Sequence, residues 1–372
     1  MKLVYLANMR LPTERAHGVQ IMKMCEAFSD LGAQVLLVLP RRFTKIKADP
    51  FEYYSVKRNF AVVKLPVLDL IPLDSILGNL AFWIEALTFL FCAKIYLLFK
   101  DYELLYTRDD WAGLFFKNFI LEIHTLPGRV KNFHRDIWRK AAAFITITKN
   151  LKNHLAQNGV PEEKIFTASD GVELSEFSVR TSKKEARLAL KLPLDKKIVM
   201  FIGLFDAWKG YETVLEASRS FALDTKLVMI GGREEQVKTL RQKYPEVVFA
   251  GYLPYKSLPR NQRAADVLVI PNSAKYEISK YHTSPLKLFA HMASGVPIVA
   301  SDLPSLGEVL SESNSLLVEP DNPEALAEGI RKILADRALG ESLSGKALEE
   351  VKKYTWQNRA RGILDFIREN HV

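Results

Sequence analysis

Cysteine is nearly missing from this sequence. Cys25 and Cys92 are the only two among 372 residues. Both sit in apolar helical patterns, so neither a disulfide framework nor a CxxC metal site can be built from them. That usage fits a reducing compartment. A leader-like start is missing too. "MKLVYLANMRLPTERAHG" lacks the apolar core a secretory signal needs, so a cytoplasmic location is expected. No uncharged run of about 18 residues exists. The most hydrophobic stretch, "LGNLAFWIEALTFLFCAKIYLLFK", is interrupted by Glu85 and Lys94. It reads as a buried or membrane-apposed helix rather than a span. Repeats and low-complexity segments are absent. So is any aromatic-basic module, and nucleic acid is not an expected partner.

What is present is an ordinary globular balance, 48% hydrophobic and 26% charged, with a net charge of +9. Most of that surplus is N-terminal. Residues 1–190 hold 27 Lys and Arg against 20 Asp and Glu. Clusters lie at Arg41 to Lys47 and at Arg129 to Lys140, the latter interleaved with Phe133 and Trp138. A phosphate-bearing ligand or an anionic membrane surface suits such a face.

Apolar strand-like runs alternate with helical patterns from "KLVYLAN" onward, which implies parallel sheets with helical crossovers. After "QVLLVLP", "ELLYTRD", "NFILEIH", "AFITIT" and "KIFTASDGV" comes a polar segment, "RTSKKEARLALKLPLDKK". The alternation then restarts at "IVMFIG". The expected division is residues 1–190, residues 191–354, and a last helix over 355–372. The fold class is α/β: two Rossmann-like, doubly wound domains facing a central cleft.

Two loop-to-helix junctions in the second half look built for an anion. In "SPLKLFAHMASG", Ser284 suits the N-cap and Pro285 the first helical position. The amides of Leu286 and Lys287 and the helix dipole then face a ligand. In "FIGLFDAWKG", Gly203 lets the backbone come close, Lys209 supplies a compact charge, and Gly210 opens the next helix. In the first half, His124 lies just past a strand end, Arg10, Arg15 and Gly18 lie at a strand-to-helix junction, and Arg108 lies at another strand end. Glu122, two residues before His124, receives no role.

At these residues the sequence resembles the retaining glycosyltransferases of family 4, which have the GT-B fold. "HGVQIMKMCEAFSDLGAQV", "GVPEEKIFTASDGVELSEF", "WKG", "SPLKLFAHMASGVPIVASDLPSLGEVL" and "YTWQNRARGILDFI" carry the resemblance over nearly the whole chain. It implies transfer of a sugar from a nucleotide-diphosphate donor, without metal or other cofactor, to a glycan or lipid-linked acceptor. Donor contacts are expected from Gly18, Gly203, Lys209, Gly210, His282, Ser284, Pro285, Leu286 and Lys287. Acceptor-side contacts are expected from Arg10, Arg15 and Arg108. His124, Lys209 and Lys287 would carry the chemistry. The acceptor would attack on the donor's front face, with the β-phosphate taking its proton. A peripheral place on the inner membrane face follows from the basic half. The sequence departs from the family at both glutamate positions, which are His282 and Ala290, and at the phosphate arginine, replaced by Leu204. The alternative is therefore a catalytically silent GT-B protein that binds nucleotide or glycan as a partner subunit.

Overall fold

A computed structural model describes residues 1–44, 46–178 and 181–370. Lys45, within the basic run at 41–47, lies outside the described residues. The chain forms two compact units, Met1–Ser169 with Trp356–Val372, and Asp170–Thr355.

The first unit holds a seven-stranded sheet in the order β3-β2-β1-β4-β5-β6-β7. The strands are β1 (Lys2–Leu6), β2 (Gln34–Pro40), β3 (Ala61–Leu65), β4 (Leu104–Thr107), β5 (Phe119–Ile123), β6 (Ala141–Thr146) and β7 (Ile165–Thr167). Every pairing is parallel. β1, β4 and β5 are covered on both faces, which is why they read as unbroken apolar runs. β3 escaped the sequence reading, because its exposed and half-buried "AVVK" sits at the sheet edge.

Three helices matter below. α1 (Ala16–Asp30) buries Gln20, Lys23 and Glu26 along with its apolar face. α2 (Asn79–Leu98) packs Phe89, Leu90, Ala93 and Leu97 into the core of the unit. Among the described residues it is the one helix long and apolar enough to cross a membrane, by length and composition. α3 (Asn132–Trp138) carries part of the second basic cluster.

The second unit holds a six-stranded parallel sheet, order β10-β9-β8-β11-β12-β13. Its strands are β8 (Lys197–Ile202), β9 (Thr225–Ile230), β10 (Val248–Gly251), β11 (Val267–Ile270), β12 (Ile298–Ser301) and β13 (Leu316–Val318). α4 (Tyr211–Ser218) follows β8, and α5 (Leu286–Ser294) precedes β12. The chain then returns through α6 (Trp356–Glu369), which packs on α1 of the first unit.

The division expected near residue 190 falls inside the second unit. The polar segment is not a linker. Arg187, 6% exposed, donates to the Ala264 carbonyl at 3.0 Å and to Asp266 at 2.6 Å, which ties the helix at 183–189 to β11. Charge buried in a pair reads from sequence as solvated polarity.

Strand order reverses between β1 and β4 in one sheet and between β8 and β11 in the other. Open α/β sheets bind ligands outside the carboxyl ends of strands at such switch points. Asn8, Arg108 and His124 follow β1, β4 and β5, and Gly203 follows β8.

Candidate functional site

In the second unit two lysines converge on the exit of β8. The Lys287 ammonium lies 4.9 Å from the centroid of the Phe201 ring. Gly203 sits between that ring and the other lysine: a Cβ there would meet Phe201 and the Lys209 Cδ, each at 3.8 Å. Lys209 Nζ reaches Asp206 at 2.9 Å, and Arg233 approaches the same carboxylate at 3.8 Å. Lys287 has no such partner among the described residues, although its Nζ is shut off from solvent. Burial and the charge of Lys209 push its pKa down to about 7. A cation held in this way gains most from an arriving anion.

The helix start differs from expectation by one residue. Pro285, not Ser284, occupies the N-cap of α5, and no side chain caps it. The Ser284 hydroxyl instead accepts from the Asp170 amide at 3.2 Å and holds the segment before the helix. Leu286 and Lys287 remain the first helical residues, whose amides precede the first intrahelical bond. His282 ends a π-helical turn, Ile278–His282, which packs against the turn carrying Lys209. Ala290 is buried, and so is His291. His291 Nδ1 is 2.7 Å from Gln262 Nε2, and burial and Lys287 hold its pKa down to about 3. It is neutral and was not singled out by the sequence.

Gly210 has φ +68°, and an added Cβ would lie 1.6 Å from the Pro271 carbonyl oxygen. Its role is close packing of the α4 start against the end of β11. Gly210→Ala should lower stability by about 2–5 kcal/mol through strain and overpacking, read as a shift in the urea midpoint.

In the first unit the centre is Glu122, fully buried at the end of β5. Its carboxylate accepts from Gln20 Nε2 at 2.6 Å and from the Tyr106 hydroxyl. His124 Nε2 lies 2.5 Å from the same carboxylate, and Arg359 of α6 lies at 3.0 Å. Arg108 joins by donating to the Gln20 side-chain oxygen, Oε1, at 2.6 Å. Burial alone would raise the Glu122 pKa, but Arg359 and His124 hold it well below the carboxylate range. Burial and Arg108 bring His124 down to about 4 despite Glu122. Neutral His124 beside an ionised carboxylate must carry its proton on Nε2. Nδ1 then offers a lone pair. That makes His124 an acceptor for a hydroxyl rather than a donor to charged oxygens.

His17, brought down to about 3 by burial and Arg108, belongs to the same cluster. Half-exposed Arg10 reaches Glu14 at 3.4 Å across the buried Leu11 and Thr13, and Arg15 is exposed just before α1. Both add positive potential at His17. Gly18 lies in the first turn of α1, where a Cβ would come within 2.1 Å of the Tyr54 hydroxyl. It serves close packing there. Sequence reading placed Arg108 and His124 correctly at strand ends but missed Gln20, Glu122, Tyr106 and Arg359. The available signal was a charge inside the otherwise apolar "FILEI".

Both units have relatives among known proteins. An uncharacterized glycosyltransferase of Methanocaldococcus jannaschii is 29% identical over 231 residues, covering 58% of this chain and 57% of the relative. The chain spans about half the length of several curated relatives it matches. Among solved structures, sucrose-phosphate synthase from Thermosynechococcus elongatus superposes with a TM-score of 0.77 at 20% identity, covering 99% of each chain. Anabaena HepE, solved with UDP-glucose, gives 0.76 at 16% identity, covering 99% of this chain and 100% of the other. Two parallel sheets flanked by helices and these superpositions give the chain the GT-B fold, and within it residues 196–336 match the family described as glycosyl transferases group 1.

Proposed function

We propose that this protein is a retaining family 4 glycosyltransferase that takes a sugar from a nucleotide-diphosphate donor. The observation that carries the reading is the buried, unpartnered Lys287 ammonium beside Lys209 at the end of β8. Two cations and the first amides of α5 match a diphosphate's two charges, without need of a metal ion. The similarity to a protein solved with UDP-glucose supports the same donor class. A glycan or lipid-linked acceptor is assigned to the first unit, where His124 Nδ1 can accept from one of its non-reacting hydroxyls and Arg10, Arg15 and Arg108 make an electropositive rim. The acceptor oxygen bonds to the anomeric carbon on the face the diphosphate leaves, and the hydroxyl proton passes to a β-phosphate oxygen. Lys209 and Lys287 stabilise the charge left on the diphosphate. The protein works at the cytoplasmic face of a membrane.

Lys209→Ala and Lys287→Ala are each expected to weaken nucleoside diphosphate binding by about 1.5–3 kcal/mol without unfolding the chain. Unchanged calorimetric affinity in both variants would sink the donor assignment. A panel of sugar nucleotides, assayed for diphosphate release with and without EDTA, tests turnover. One observation favours binding without turnover: His282 and the buried Ala290 stand where the resemblance places glutamates. A chain that binds the diphosphate and turns over no donor in the panel is that silent protein.

A further inference from the structure

The outward stripe of α2 is apolar from end to end. Leu80, Ile84, Leu87, Phe91, Ile95 and Leu98 recur at three- and four-residue steps, so they share one side of the helix. Five of the six are exposed, Phe91 at 57% and Leu98 at 65%, and Ile84 is half-buried. The opposite side carries Phe89, Leu90, Ala93 and Leu97 into the core. A surface helix ordinarily shows water its polar side. This one shows water a second apolar face, about 30 Å long by its rise per residue. Just before it, Leu73 and Ile76 are exposed as well. Patches of this kind mark an interaction surface.

The surroundings say what covers it. Trp83 of α2 packs edge-on against Trp111, ring centroids 4.2 Å apart, and Trp111 lies 5.2 Å from the half-exposed Phe133 of α3. This aromatic step leads from the apolar stripe to the exposed Arg129, Lys131 and Arg135. Apolar face, aromatic border and cationic flank follow the layers of a bilayer with anionic headgroups. A crossing is ruled out by the inner side of the helix. Glu85 is fully buried and accepts from Asn8 Nδ2 at 3.1 Å, so that side is committed to the unit's own core. A second copy is the poorer occupant, because a chain of net charge +9 repels its own image where an anionic surface attracts it.

We infer that α2 lies in the plane of an anionic membrane with its Leu80–Leu98 stripe among the lipid chains and the Arg129–Arg135 cluster on the headgroups. The inference stands apart from the nucleotide reading, since no residue of the lysine pair enters it.

Flotation with mixed phosphatidylcholine–phosphatidylglycerol vesicles tests it, with nucleoside diphosphate affinity measured beside it as a check on the other unit. Wild type is expected to float, and to keep part of its binding at high salt, where exposed charges are screened. Phe91→Ser with Ile95→Ser should cut the partition coefficient about tenfold or more and remove the salt-resistant part. Lys131→Glu with Arg135→Glu should remove only the salt-sensitive part. Phe91→Trp keeps the stripe apolar, and its fluorescence should be quenched by lipids brominated on the acyl chain. Equal flotation of wild type and the double serine variant overturns the inference, as does an unquenched tryptophan at position 91. A wild-type dimer that the double serine variant dissociates, with vesicle binding unaltered, assigns the stripe to a second copy and equally overturns it.

Discussion

Nucleoside diphosphate affinity is expected to fall about tenfold for each pH unit above 7, until Lys287 in the complex also titrates. Burial and Lys209 hold that lysine at about 7 in the free protein. A diphosphate beside it favours the charged form and raises the value on binding. Above pH 7 the free protein has lost the proton that the complex retains, so binding must take one up. The phosphate's own second ionisation, near pH 6, is complete in this window and does not contribute. Calorimetry in buffers of different ionisation enthalpy should show uptake approaching about one proton as the pH rises above 8. Lys287→Met should bind weakly with no such slope, and Lys287→Arg should lose the slope because guanidinium stays charged. A flat wild-type profile between pH 7 and 9 would remove Lys287 from the anion site.

The second large effect lies in the first unit. Glu122→Gln should cost about 3–5 kcal/mol in urea unfolding, because it takes the countercharge away from a buried guanidinium. Arg359 is 6% exposed and also donates to the Ser169 carbonyl at 3.1 Å. Arg359→Met should cost a similar amount by taking the countercharge away from the carboxylate. The double variant is expected to lose less than the sum, with a coupling of about 0.5–3 kcal/mol. The pH dependence has a definite sign. A carboxyl held below its ordinary value stabilises the fold above the unfolded value of 4.5 and loses that contribution as pH falls through the folded one. The gap between wild type and Glu122→Gln should therefore narrow in acid. Strictly additive single losses would mean that Glu122 and Arg359 act separately.

Much of the architecture was legible because both sheets are parallel and covered on two faces, so twelve strands announce themselves as apolar runs. The loop-to-helix junctions were legible for a similar reason: Gly203, Lys209, Gly210 and the Ser284–Lys287 run lie close together in sequence. The buried network was not. Gln20 and Arg359 lie 102 and 237 residues from Glu122, and no local spacing brings three such positions together. The Ser284 cap was misplaced because the hydroxyl found a tertiary partner, Asp170, that competes with the helix amides. The outward face of α2 was hidden by the opposite difficulty. A helix apolar on both sides has little periodicity from which to tell the lipid-facing stripe from the core.

The return of α6 to the first unit also has a consequence for synthesis. A ribosome delivers Glu122 long before Arg359, which lies 237 residues further on, and the stretch between them includes the whole second unit. At about 5–20 residues per second that interval is roughly 10–50 s. Through it the nascent first unit carries an acidic side chain whose permanent counter-ion does not yet exist. Gln20, Tyr106 and His124 can bond the carboxylate meanwhile, but the guanidinium that balances its charge is missing. The half-made protein is therefore expected to be open where the finished one is most tightly closed, and ribosome-bound chains stalled before residue 356 should be cut by protease near the end of β5.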